Sequence, residues 1–66
     1  MIKKNYNIGL SYYCIGIVYD KLNEFDAALD NYNEALKIYK AILKNDDSRI
    51  KSLVDSINKI TEKINN

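Results

Sequence analysis

Chemistry at a protein surface needs nucleophiles, bases, metal ligands or phosphate cradles, and this chain holds few of them. It has one cysteine, Cys14, and no histidine. A thiol is activated by a neighbouring base or cation, and neither stands near Cys14 in sequence. Cys14 is therefore expected to be a small, half-buried hydrophobe. The carboxylates Asp26, Asp30 and Glu34 recur at four-residue steps and share a helix face, where they are expected to be solvated rather than to hold a cation. The two glycines, Gly9 and Gly16, are too far apart for a phosphate loop. Six tyrosines offer stacking surfaces, but base stacking works with interleaved cations, and the only arginine is Arg49. These residues argue against an enzyme, a cofactor and a metal.

Composition narrows the choice further. Ten cations against nine anions give a net charge of +1 over 66 residues, which is no strong field for nucleic acid or an anionic membrane. No apolar stretch approaches the roughly 20 residues of a membrane span. Lys3 and Lys4 are followed by Asn5, Tyr6 and Asn7 rather than by an apolar run, so no secretory leader is read. A cytoplasmic, reducing setting is expected. A chain of this size supports one small core, and such cores rarely supply more than roughly 3–5 kcal/mol unaided. A lone cysteine forms no internal disulfide, so a partner chain is the remaining source of stability.

The elements that position these residues are helices. There is no proline, and long helices follow. Ile8, Tyr12, Ile15, Tyr19 and Leu22 step by three and four, which predicts a first helix near 8–22. Phe25, Ala28, Leu29, Tyr32, Ala35, Leu36, Tyr39 and Leu43 predict a second near 25–44. Acids gather at its start and lysines at its end, as the helix dipole favours. Between them Asn23 is the residue expected to adopt positive φ and close the first helix. Asp46, Asp47 and Ser48 are candidate N-caps for a third helix near 48–64, whose seam is Ile50, Leu53, Ile57, Ile60 and Ile64, widened by Val54. The expectation is a single all-α domain over 1–66: a helical hairpin with a third helix packed on it.

The spacings within the hairpin are more specific. Tyr12, Ile15, Gly16 and Tyr19, then Ala28, Tyr32 and Ala35, reproduce the order large–x2–Leu–Gly–x2–Tyr followed by Ala–x3–Phe–x2–Ala. In these seven positions the chain resembles the tetratricopeptide repeat, a helix–turn–helix of roughly 34 residues. The repeat would span 9–42. Lys40 stands where the family often has proline, so the second helix is expected to run on. Small Gly16 and Ala28 would let the helices approach, with Tyr12, Tyr19 and Tyr32 around them, and Ala35 would leave room for the next helix. Moving Ile15 to Ile57, Val18 to Ile60 and Leu22 to Ile64 is one common shift of about 42 residues, similar to the longer repeats of kinesin light chain. Residues 48–65 then read as a capping helix or a degenerate first helix of a second repeat.

The resemblance implies a non-enzymatic protein–protein interaction module. Its groove-facing positions would be Leu10, Tyr13, Ile17, Asp20 and Lys21. Tyr13 and Ile17 stand where carboxylate-clamping members carry lysine and asparagine, so a carboxylate clamp is not expected. Leu10, Tyr13 and Ile17 form an apolar stripe that the hairpin is expected to leave uncovered, for a protein or peptide partner or another copy of the chain. The alternative reading is a structural subunit that forms a homo-oligomer or joins a larger assembly.

Overall fold

The computed structural model describes residues 5–65. Three helices follow in order: α1 (Tyr6–Lys21), α2 (Phe25–Ile42) and α3 (Ser48–Asn65). Helix α1 begins two residues before the position expected from the apolar period. The reason is Asn5, whose Oδ1 accepts a hydrogen bond from the Ile8 amide at 3.0 Å and caps the first turn.

The turn after α1 rests on Asn23, whose φ of 61° lies in the left-handed region. The Asn23 amide donates to the Asp20 carbonyl at 3.0 Å, and the Glu24 amide donates to the Tyr19 carbonyl at 2.9 Å. This pair of bonds is the Schellman arrangement and satisfies carbonyls that the helix leaves orphaned. So short a link makes α1 and α2 antiparallel neighbours. Helix α2 ends at Ile42, and Leu43 turns to extended backbone. Of the three candidate caps for α3, Asp47 takes the role: its Oδ1 accepts from the Arg49 amide at 2.9 Å.

Helix α2 lies between the other two, and α1 and α3 meet only at their margins. The core is correspondingly centred on α2. Ala28, Tyr32, Ala35 and Tyr39 form one buried cluster with Ile50, Leu53 and Ile60 of α3. Ala35 is fully buried where α3 arrives, as its small size implied.

On α1 the structure corrects the expected packing face. Ile15 and Leu22 point outward at 44% and 63% exposure, and Tyr19 is also exposed. Gly9 and Gly16 make the closest approach to α2, and Tyr6, Tyr12, Tyr13 and Ile17 pack against the core cluster beside them. A Cβ built on Gly16 would lie 2.5 Å from Cδ1 of Tyr32, and one on Gly9 would lie 2.7 Å from Cε1 of Tyr39. Two glycines seven residues apart mark the line along which α2 can come close. The large-residue stripe would hold it away. Gly16 is thus matched to the Tyr32 ring rather than directly to Ala28.

A candidate protein-binding groove between the first and third helices

Because α2 sits behind both of its neighbours, α1 and α3 leave an open cleft between them. Its volume is about 210 Å³. Helix α1 contributes Tyr6, Leu10 and Tyr13; α2 contributes Tyr39 as the floor; α3 contributes Ser48, Arg49 and Ser52.

Aromatic contacts fix the walls. The Tyr6 ring stacks on Tyr39 with centroids 5.4 Å apart and planes 14° from parallel. The Tyr13 ring meets Tyr32 edge-on at 5.6 Å and 60°. Both are preferred geometries for aromatic pairs. Burial pushes the Tyr39 hydroxyl up to about 12, reinforced by Tyr6. Burial likewise pushes Tyr32 up to about 12, with the Asp20 carboxylate adding to it. Both phenols are neutral donors throughout the physiological range.

One charge pair borders the cleft. Arg49 binds Asp47 in a fork, Nε to Oδ1 at 2.9 Å and a terminal nitrogen to Oδ2 at 2.7 Å. Its guanidinium carbon lies 4.9 Å from the centre of the Tyr6 ring, a cation–π contact. The hydrogen bonds from Arg49 hold the Asp47 carboxyl down at about 2, and the same pairing raises Arg49. The cation is already engaged, so the groove offers a locally neutral edge.

The five residues expected on the groove divide. Leu10 and Tyr13 line the cleft, with Leu10 exposed. Tyr13 and Ile17 are partly buried against the core cluster, so the hairpin covers more of the stripe than expected. Asp20 accepts a hydrogen bond from Nζ of Lys63 at 3.3 Å, which ties the last turns of α1 and α3 together. Lys21 is exposed at the end of α1. Of the residues expected in the repeat's packing, Gly16, Ala28, Tyr32 and Ala35 are buried, Tyr12 packs against the cluster, and Ile15 and Tyr19 are exposed.

Tyr6, Tyr39, Ser48, Arg49 and Ser52 were not read from the sequence as groove residues. Tyr6 had a signal, since it precedes Tyr13 by seven residues and so shares its helix face. The α3 residues had none, because their role depends on how α3 is rotated on α2. Cys14 is exposed rather than half-buried. Asp26, Asp30 and Glu34 are exposed, and Glu34 accepts from Lys37 at 3.3 Å. Among the described residues, no group of three or more potential metal ligands converges, and no helix is long and apolar enough to cross a membrane.

A hairpin closed by glycines and small alanines, followed by a helix stacked on its second member, is the architecture of helical repeat proteins. The tetratricopeptide repeat profile matches residues 9–41, half of the chain, and the chain belongs to that family. The match carries the family and not the longer-repeat subtype. No curated protein and no solved structure matches the chain. Repeats of this family mediate protein–protein interaction.

Proposed function

We propose that the chain is a non-enzymatic interaction module whose partner segment lies in the cleft between α1 and α3. Leu10 and Tyr13 provide its apolar wall, with Ile17 behind them and Asp20 and Lys21 at its far end. The observation that carries this reading is the open, tyrosine-lined cleft with exposed Leu10 on one side and exposed Ser48 and Ser52 on the other. Its chemistry suits an apolar or aromatic side chain flanked by polar backbone: the rings bury area and the hydroxyls satisfy polar groups. With Arg49 engaged by Asp47, a terminal carboxylate is not the preferred ligand.

The test is selection of binding peptides from a random library, followed by amide chemical-shift mapping of the selected peptide on the protein. Shifts should gather on Leu10, Tyr13, Arg49 and Ser52. Leu10→Glu should weaken binding by about tenfold or more, equivalent to roughly 1.4 kcal/mol, and Lys37→Ala should leave it unchanged. Shifts that gather on Ile15, Val18 and Leu22 instead would move the site to the opposite face of α1.

A further inference from the structure

We infer that two cationic bridges from α3 to α1, Arg49 over the Tyr6 ring and Lys63 to Asp20, set the width of the cleft, and that releasing them lets α3 roll on α2 and open it. The bridges act on the helices whatever segment the cleft receives, so they stand or fall apart from the binding proposal.

The first observation is register. The guanidinium carbon of Arg49 lies 4.9 Å from the centre of the Tyr6 ring, and Nζ of Lys63 donates to Oδ1 of Asp20 at 3.3 Å. Both bridges join residues 43 apart in sequence. A common offset is what two parallel helices in fixed register produce. On each helix the two bridge positions are 14 residues apart, about 21 Å at a rise of 1.5 Å per residue. Arg49 and Tyr6 line the cleft, and Lys63 and Asp20 close the far end of the same seam.

The second observation is what lies between the bridges. Arg49, Ser52, Ser56 and Lys63 follow steps of three, four and seven and so share one side of α3. Between its two cations, that side offers α1 only two serines, too short to span the cleft. The Ser56 hydroxyl donates instead to the Ser52 carbonyl at 3.2 Å. The apolar residues Ile50, Leu53 and Ile60 lie on the adjacent stripe and join the α2 cluster. A helix seated on one neighbour along one stripe can roll about that line with its stripe still in contact, a small sliding motion of packed helices. Its side contacts then choose the angle.

The third observation is that both bridges are aimed yet releasable. Asp47 accepts from the Arg49 amide and from Nε, each at 2.9 Å, which directs the guanidinium toward Tyr6. Lys63 also lies 5.4 Å over the Phe25 ring, at the start of α2. The side chains of Arg49 and Lys63 are nevertheless 47% and 52% exposed. Exposed charge contacts are weak and are screened by salt. They can bias the roll of a seated helix without locking it.

Spin labels on the exposed native Cys14 of α1 and on Asn58→Cys of α3 test this in the full chain, with the separation read by double electron–electron resonance. Lys63→Met should lengthen the mean separation by about 2 Å or more, the scale of helix shifts in switching proteins, and broaden its distribution. Adding Arg49→Met should broaden it further. Lys63→Arg, which keeps the cation, should hold the original separation. Lys59→Met removes the same charge from a lysine paired within α3 to Asp55 and should also leave it unchanged. Raising salt to about 1 M, where the screening length is roughly 3 Å, should move the original chain in the same direction as Lys63→Met. Circular dichroism checks that helix content is retained, and if the combined variant loses it, Lys63→Met alone decides. A separation unmoved by Lys63→Met overturns the proposal. So does Lys59→Met producing an equal shift, or Lys63→Arg failing to hold the original distance.

Discussion

At position 16 a single methyl group would meet the Tyr32 ring at three atoms, the nearest 2.5 Å away. Tyr32 is 2% exposed and its ring is also in edge contact with Tyr13, so it cannot swing aside cheaply. Alanine in a helix interior is ordinarily favoured over glycine by about 1 kcal/mol. Here overpacking, typically about 1–3 kcal/mol, opposes that gain and should exceed it. Gly16→Ala is therefore expected to lower Tm by roughly 5–10 °C, given about 4–8 °C per kcal/mol in a domain this small. Ser11→Ala on the open face is the control and should move Tm little. A Gly16→Ala variant as stable as the parent in thermal melts followed by circular dichroism would mean that α1 and α2 do not approach along the glycine line.

Among the elements, α2 and α1 differ in how much of their placement the sequence reveals. Helix α2 has one apolar face and one charged face, and its expected core residues Ala28, Tyr32, Ala35 and Tyr39 are buried, together with Ile38, which lay outside the expected face. Helix α1 is apolar all round, so periodicity identifies a helix without identifying which side meets α2. The stripe Ile15–Tyr19–Leu22 fitted the period as well as Gly9–Gly16 did, and only contact distance separates them. Asn23 was legible because a two-residue link without glycine needs a residue that tolerates positive φ. Asn5 carried the same kind of local signal and sets the true start of α1. The α3 seam was legible in its first turns and less so at its end, where Ile64 is 43% exposed because α3 there runs beside the very start of α2, with Lys63 lying 5.4 Å over the Phe25 ring. The α2 placement gives a direct test. Ala28 is fully buried and Ala27 only partly so. Ala28→Leu should cost roughly 1–3 kcal/mol more than Ala27→Leu in urea unfolding, and equal midpoints would show the face of α2 to be misplaced.

Across the whole molecule, 38 × 26 × 13 Å, there is little depth for a core, since one helix with its side chains is about 10–12 Å across. Long-range order rests instead on aromatic contacts that cross the helices. Tyr6 of α1 lies between Tyr39 of α2 and Arg49 of α3, and Tyr13 of α1 abuts Tyr32 of α2. The two α2 tyrosines at the centre of this arrangement are both pushed up to about 12 in the folded chain, against about 10 for a free phenol. A raised folded value means that folding favours the neutral hydroxyl. The stability this contributes is complete below pH 10 and is lost as pH rises from about 10 through about 12. The urea midpoint should therefore hold between pH 8 and about 9.5 and fall by pH 11.5. Lysines also deprotonate in this interval, so the decisive comparison is with a variant in which Tyr32→Phe and Tyr39→Phe are combined. It retains the same lysines and should show a shallower alkaline fall, whatever its stability at neutral pH. A fall of equal slope in parent and variant would place the alkaline sensitivity outside the tyrosine pair and deny these two rings their central role in joining the three helices.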